Sequence, residues 1–307
     1  PFKRMNGVLN VDKPGGITSH DVVDAVRRIT GQRRVGHTGT LDPMATGVLP
    51  ICIGKATRLS EAIMAGTKDY IAGITFGVET DTQDSTGRIL SEEDASYLTK
   101  EAVQRALEDF LGAIQQTPPM VSARRYHGRR LYELAREGIS IPREARLVRI
   151  LHLELLEFHP GEHPSAVISV TCSGGTYIRT LVHDVGAVLG CGAHMSSLRR
   201  TRVACFTQEA ARKLDEIERL ALSGQLDTVL VPMTQAVSHL PSVTLNPQEA
   251  GRVKHGQPPR EWTGEVPEDA QRVAIIGPEG ALLAIARVEK APSKDGVILK
   301  PYTVLVE

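Results

Sequence analysis

The spacing of apolar residues predicts a chain in which helices and strands are mixed. Helical spacing predicts helices capped by Ser19 and Thr99 and ended by Gly31 and Gly112, and a further helix over Ile178–Leu189. Alternating apolar positions predict half-buried strands, at Tyr70–Phe76, Leu151–Leu155 and Ala166–Cys172. Other predicted elements are strands over Gly7–Val11 and Ser197–Phe206 and helices over Thr57–Ala65, Leu131–Arg136 and Gln208–Leu222. Because strands and helices do not strictly alternate, an α+β fold is favoured over a doubly wound sheet.

The texture of the chain changes after about Leu240. Prolines and glycines become frequent there, and Gly277–Gly280 separates two apolar runs, Val273–Ile276 and Leu282–Val288, as in a hairpin. Asn246 followed by Pro247 predicts the start of a helix. We therefore expect one domain over residues 1–240 and a second over residues 241–307.

Charge is distributed unevenly along a chain whose formal net charge is zero. Residues 124–149 contain eight arginines and three acidic residues, whereas residues 79–109 contain nine acidic residues. The arginine-rich stretch predicts either a solvated helix surface or a face that binds a polyanion.

The cysteines, histidines and apolar runs of the sequence bear on metal binding and on the compartment in which the protein is found. The four cysteines form no C-x-x-C pair and the ten histidines are scattered, so we expect reduced thiols, no metal site and no cofactor. No apolar run reaches about 18 residues, and Pro1–Arg4 lacks the apolar stretch of a signal peptide. These features favour a cytoplasmic protein without a membrane span.

Three residues are candidates for chemistry. Asp42 is the one acidic residue in the glycine-rich segment Gly36–Leu49, where it could act as nucleophile or general base, or could organise a turn. Arg179 lies in the first turn of the predicted helix, where a cation is disfavoured unless it meets an anion such as a phosphate or Asp42. Tyr70 could pack in the core or stack on a nucleic-acid base.

Five segments, taken in order, resemble a known family. They are Leu9–Val23, Gly36–Pro50, Thr67–Gly87, Gln116–Gly138 and Cys172–Arg200, and they include the sequences GHTGTLDPMATGVLP and CSGGTYIRTLVHD. In these segments the chain resembles the bacterial TruB-type tRNA pseudouridine synthases along essentially its whole length.

The resemblance implies a role for each matched residue. It implies that Asp42 is the catalytic carboxylate, that Arg179 pairs with it, and that Tyr70 stacks on the target base. Asp84, Tyr177 and Leu198 would line the base pocket. The implied RNA-binding residues are His37, Lys13 (which would also support the loop), Arg124, Arg125, Arg129 and Arg130.

The resemblance also implies a fold and a reaction. The fold would be a mixed or antiparallel sheet flanked by helices, with an RNA-gripping insertion at about 117–149 and a PUA-like β pseudo-barrel at the C-terminal end. The reaction would convert uridine 55 in the T loop of tRNA to pseudouridine after base flipping, without a cofactor because the atoms balance. The insertion favours an enzyme that needs no obligatory protein partner, and we expect a monomer because no apolar heptad stripe marks a dimer face. Whether Asp42 attacks C1′ or C6 or promotes elimination stays open. The chain departs from the family pattern at Val121, Gly174 and His183.

Three other functions compete with this interpretation. A non-catalytic RNA-binding module, such as a tRNA folding chaperone, would need the basic face but not the Asp42 carboxylate, and both roles could coexist. A relative that acts on ribosomal RNA would need an assembled complex. An enzyme of free nucleosides is disfavoured by the arginine-rich stretch.

Overall fold

The computed structural model describes residues 5–119, 125–126, 129–130, 139, 141–290 and 296–305, with the backbone alone at 125–126 and 129–130. The described residues form eighteen strands and seven α-helices. The strands are β1 (Gly7–Lys13), β2 (Val35–His37), β3 (Thr46–Ile53), β4 (Lys68–Phe76), β5 (Val78–Thr80), β6 (Ile89–Glu92), β7 (Gly112–Gln116), β8 (Arg125–Tyr126), β9 (Arg129–Arg130), β10 (Arg146–His159), β11 (Ser165–Cys172), β12 (Ala193–Val203), β13 (Phe206–Thr207), β14 (Leu230–Val231), β15 (Ser242–Thr244), β16 (Arg272–Ile276), β17 (Leu282–Lys290) and β18 (Val297–Val304). The helices are α1 (Ser19–Thr30), α2 (Ser60–Ala65), α3 (Lys100–Glu108), α4 (Ile178–Leu189), α5 (Leu214–Leu222), α6 (Met233–Ala236) and α7 (Pro247–Lys254).

A ten-stranded mixed sheet is the frame of the larger part of the chain. Its order is β14-β1-β3-β12-β4-β11-β10-β7, with β2 on β3 and β13 on β12. The pairing of β3 with β12 is parallel, and the other neighbours in this sheet are antiparallel. The α+β fold expected from the sequence is confirmed.

The parallel pairing of β3 with β12 depends on a glycine. Gly47 lies opposite Arg200 in the register. Its φ is +103°, and a Cβ at this position would lie 2.2 Å from the Arg200 carbonyl oxygen. A residue without a side chain is therefore required where the two strands meet.

Helices α1 and α4 follow their apolar stripes closely. Helix α4 has the predicted bounds, and α1 buries Val22, Val23 and Val26 against the sheet before it ends at Gly31. The predicted cap of α1 was wrong by one residue. Thr18 caps the helix, since its side chain accepts from the backbone N–H of Asp21 while the Asp21 carboxylate accepts from Thr18.

The C-terminal strands form a separate four-stranded sheet of order β15-β16-β17-β18. The hairpin from β16 to β17 and the Asn246 cap of α7 confirm the sequence predictions. One apolar cluster joins this sheet to the rest of the chain, because Ala274, Ile285 and Leu305 pack with residues such as Val48 and Ala62. None of the described helices is long and apolar enough to span a membrane.

Other predicted bounds differ from the structure. Helix α3 ends at Glu108, so Phe110 lies outside it, and β12 begins at Ala193 instead of Ser197. The helix predicted from Gln208 begins at Leu214, because the preceding backbone at Arg212 bonds to Asn10 and Asp12 of β1. The predicted helix at 131–136 lies outside the described residues.

Candidate active site

A cavity of about 500 Å³ opens at the edge shared by the Asp42 loop, β4, β12 and the start of α4. Its lining includes Asp42, Tyr70, Tyr177, Arg179 and Leu198. This volume lies within the range of about 300–1,000 Å³ that is typical of small-ligand pockets. The fold therefore brings these five predicted site residues, together with His37, to one concave surface.

Asp42 and Arg179 form a two-pronged ion pair in this cavity. Arg179 Nε lies 3.0 Å from Asp42 Oδ2, and Nη2 donates to Oδ1 at 3.3 Å. Pro43 keeps the chain at Asp42 out of helical conformation, and α4 carries Arg179 at its second residue. The Arg179 side chain is 4% exposed. The predicted pairing of these two residues is confirmed.

Burial raises the pKa of the Asp42 carboxyl above its ordinary value, because desolvation disfavours the charged form. The Arg179 guanidinium opposes this shift, Asp84 adds to it, and Lys13 opposes it more weakly. The sequence predicted that pairing would keep the carboxylate ionised. That prediction was incomplete, because pairing favours the carboxylate but burial acts more strongly.

Lys13 braces the Asp42 loop from within the protein. Its side chain is fully buried, and its ammonium group donates to the carbonyl oxygens of Pro14, Ile17 and Pro43 at 2.8, 2.7 and 3.2 Å. Burial lowers the pKa of Lys13 to about 8, although the Asp42 carboxylate acts in the opposite direction. The assignment of Lys13 to RNA binding was wrong, since this amine does not reach the surface.

Tyr70 of β4 and Leu198 of β12 also line the cavity. Tyr70 pairs with Arg200 of β12 across the antiparallel ladder, and Leu198 pairs with Ala72. Burial raises the pKa of Tyr70 to about 12, although the nearby Arg200 guanidinium acts in the opposite direction. The phenol is therefore neutral at physiological pH and offers an aromatic surface to the cavity.

Tyr177 is fixed in place by its backbone. The Gln116 amide accepts from the Tyr177 N–H at 2.7 Å and donates to the Tyr177 carbonyl at 3.0 Å. Gln116 is buried at the end of β7, so this amide ties the edge strand to the start of α4. Sequence analysis missed Gln116, because a single glutamine in a strand has no local signature.

Asp84 does not line the cavity, which corrects the sequence prediction. It is 4% exposed and lies behind Arg179, with Oδ2 3.6 Å from Nη1. Its other oxygen accepts from the Thr82 hydroxyl and from the Thr86 hydroxyl and N–H. Asp84 thus holds the guanidinium from the side opposite Asp42.

The structure describes some of the predicted RNA-binding residues in full, some by their backbone alone, and one not at all. His37 lines the cavity, and its Nδ1 accepts from the Gly39 N–H at 3.2 Å. Arg125, Arg129 and Arg130 belong to the short β8–β9 pair, of which only the backbone is described. Arg124, like the departure at Val121, lies outside the described residues.

Two departures from the family pattern have described surroundings. At Gly174 a Cβ would lie 2.8 Å from the Met64 carbonyl oxygen, so the end of α2 packs directly on this backbone. His183 is on α4, where its Nδ1 lies 3.6 Å from Oε1 of Glu79 on β5, and it does not line the cavity.

Lys68 and Arg200 also line the cavity, and sequence analysis missed both. In the sequence each looks like an ordinary charged position of an alternating strand. No group of three His, Cys, Asp or Glu side chains among the described residues is placed to hold a metal ion.

Comparisons with known proteins identify the family. A model described as the TruB family pseudouridylate synthase N-terminal domain matches residues 27–178, and one described as the tRNA pseudouridylate synthase B C-terminal domain matches residues 179–238. A tRNA pseudouridine synthase B from Symbiobacterium thermophilum is 51% identical over 255 residues, which cover 83% of each chain. The chain belongs to the TruB family.

Other relatives extend the TruB assignment over nearly the whole chain. A tRNA pseudouridine synthase B from Pelotomaculum thermopropionicum is 43% identical over 308 residues, covering 98% of this chain and 97% of that protein. Among solved structures, a Cbf5–Nop10–Gar1 complex contains a chain with a TM-score of 0.76 and 28% identity, covering 98% of this chain and 85% of that one. An H/ACA RNP bound to a substrate RNA containing 2′-deoxyuridine gives a TM-score of 0.73 and 27% identity, covering 98% and 85%. The TruB and Cbf5 chains therefore share the pseudouridine synthase fold, including the small C-terminal sheet.

Proposed function

We propose that this TruB-family chain isomerises uridine 55 in the T loop of tRNA to pseudouridine, with Asp42 as the nucleophile. The observation that carries the proposal is the Asp42 carboxylate, which Arg179 grips at 3.0 and 3.3 Å in a cavity that Tyr70 also lines. The curated relatives named tRNA pseudouridine synthase B support the substrate.

The cavity suits a base that has left its stack. Flipping a nucleotide out of a folded loop costs a few kcal/mol, and stacking on an aromatic ring returns about 1–3 kcal/mol per base. Tyr70 supplies that ring on a rigid central strand, and Leu198 supplies an apolar neighbour. Contacts with Tyr70 and Leu198 would therefore offset much of the free energy needed to flip the target uracil out of its stack.

The reaction needs a carboxylate and no outside reagent. The N1–C1′ bond breaks, the base turns, and a C5–C1′ bond forms, while one proton leaves C5 and one is gained at N1. Attack of the Asp42 carboxylate on C1′ would displace the base directly, with N1 as the leaving atom. Addition to C6 would instead give an adduct whose N1–C1′ bond breaks in a later step. Arg179 fixes the carboxylate for attack and favours its charged form against the effect of burial.

Binding of the whole tRNA is assigned to surfaces outside the cavity. We assign residues 1–240 to catalysis, with the arginine-rich insertion gripping the T stem, and residues 241–307 to a PUA-like RNA-binding domain. Cbf5 was solved in complexes with Nop10, whereas we propose that this chain acts alone as a monomer. Light scattering and activity of the purified chain test that difference.

The site of modification is tested with RNA variants. A tRNA transcript and an isolated T stem-loop should each gain one pseudouridine at position 55, mapped by carbodiimide labelling and reverse transcription. A transcript with cytidine at position 55 is the matched control and should gain none. Modification elsewhere, with position 55 untouched, would contradict the proposed site.

A further inference from the structure

Two buried cations in the cavity have no carboxylate partner among the described residues. Lys68 is 5% exposed and Arg200 is 1% exposed, and both line the cavity. The arginines on either side of Arg200 in β12 differ, because Arg199 pairs with Asp12 and Arg202 pairs with Asp69. Buried charges are normally paired, so two without partners in one cavity require an explanation.

Backbone carbonyls satisfy only part of these two groups. The Lys68 ammonium donates to the Met64 and Gly66 oxygens at 2.6 and 2.8 Å, which leaves one of its three protons. Arg200 donates to the Val48 and Gly39 oxygens at 2.8 and 3.3 Å, which uses two of its five N–H groups. Both cations therefore retain donors for an anion.

Asp42 and Lys68 have different electrostatic neighbours. Arg179, Asp84 and Lys13 act electrostatically on Asp42, whereas Arg200 and Cys172 act on Lys68. Burial and the like charge of Arg200 lower the pKa of Lys68 to about 8, as expected of a cation that lacks its counter-ion. Lys68 thus has the Arg200 cation as a neighbour, whereas Asp42 shares the Arg179 guanidinium with Asp84.

The backbone near Lys68 also leaves room for a ligand. Gly175 lines the cavity with a φ of +88°, and a Cβ built there would meet nothing within 4 Å. A phosphate can approach such a glycine turn closely.

We infer that Lys68 and Arg200 form a phosphate subsite, which receives a phosphodiester of the RNA strand next to the nucleotide held at Asp42. This inference rests on the proposed function, because RNA supplies the anion. Phosphate is the anionic group of RNA, and lysine binds it as a point charge while arginine offers a planar fork. The subsite would orient the ribose by holding the strand backbone next to the target nucleotide.

The test replaces one phosphate at a time by a neutral methylphosphonate. T stem-loop RNAs would carry this group 5′ or 3′ of the target uridine, or in the stem as a control. Binding would be measured with the Asp42→Asn protein, with and without Lys68→Met. Loss of a charge-assisted hydrogen bond should weaken binding about tenfold or more.

The expected result is a coupling between one phosphate and one side chain. Methylphosphonate at one flanking position should lower the affinity of the Lys68-containing protein for the RNA. Lys68→Met should lower the affinity for unmodified RNA. For the RNA with that methylphosphonate, Lys68→Met should cause little further loss of affinity. Lys68→Arg should retain most of the affinity. The stem methylphosphonate should affect both proteins equally.

An equal loss from Lys68→Met on every RNA would overturn the subsite and leave Lys68 as a brace for the end of α2. Tritium release by the Asp42-containing protein separates the two proposals. Coupling without release would refute the isomerase alone, and release without coupling would refute the subsite alone.

Discussion

Replacing Arg179 by methionine should destabilise the protein and move its pH dependence in a defined direction. The guanidinium is 4% exposed and contacts Asp42 at 3.0 and 3.3 Å and Asp84 at 3.6 Å. At an effective dielectric constant of about 20, opposite unit charges about 4 Å apart attract by about 4 kcal/mol. Removing one partner of a buried pair costs about 3–5 kcal/mol, and here the Asp84 carboxylate, 6% exposed, would stay buried without its cation, whereas Asp42 is 29% exposed. We expect the free energy of unfolding to fall by about that amount in urea titrations at pH 7.5.

The same substitution should shift the acid limb of activity. Arg179 lowers the pKa of Asp42 and Asp84 raises it, so losing Arg179 raises the pKa further. Since the carboxylate form is the nucleophile, single-turnover tritium release should lose activity at a higher pH in Arg179→Met than in the wild type.

A neighbouring arginine supplies the matched control. Arg202 grips Asp69 at 2.6 and 2.8 Å, but their side chains are 31% and 29% exposed and do not line the cavity. Arg202→Met should cost about 1 kcal/mol or less through its ion pair and leave the acid limb in place. An acid limb that stays fixed in Arg179→Met, or moves to lower pH, would refute the reasoning.

The other predictions concern pH, packing and salt. Burial lowers the pKa of Lys13 to about 8, whereas an ordinary lysine has a pKa of 10.5. The free energy of unfolding should therefore rise with pH between these two values, because the unfolded chain binds more protons there. Lys13→Met should reduce this rise, and an unchanged slope in urea titrations would contradict the burial of Lys13. Gly47→Ala should lower the free energy of unfolding by more than about 1–3 kcal/mol, since the new Cβ would lie 2.2 Å from the Arg200 carbonyl oxygen. In the control Gly161→Ala the new Cβ would meet nothing within 4 Å, so thermal melts should show almost no change in stability. If the protein makes 6–10 phosphate contacts, tRNA affinity should fall by about 10³–10⁵ between 50 and 200 mM salt; filter binding that shows no change would exclude the basic-face model.

Local patterns predicted the elements whose stabilising contacts are near in sequence. The stripe Ile178–Leu189 produced the correct helix because its apolar face and the Gly190 cap are both local. The start of α5 was misplaced because Arg212 bonds to β1, about 200 residues earlier, and no local pattern indicates that contact. The mixed order of the large sheet is non-local for the same reason.

The candidate site divides in the same way. Asp42 and Arg179 were found because the motif around each is unusual and because a cation at a helix start needs an anion. The burial of Asp84 and Lys13 depends on tertiary packing, so one was wrongly placed in the cavity lining and the other at the RNA surface. Lys68 and Arg200 come together only because β4 pairs with β12, and no local sequence pattern predicts that pairing.

Release of tritium from tRNA transcripts containing 5-³H-uridine reports whether this chain isomerises uridine through Asp42. The wild type should release about one equivalent per tRNA, because one C5 proton leaves at one site. Asp42→Asn should release none while still binding tRNA, and Asp215→Asn, an exposed carboxylate on α5 paired with Arg219, should match the wild type. Release by Asp42→Asn at the wild-type rate would contradict the account, and no release by a wild type that binds tRNA tightly would favour an RNA-binding chaperone instead.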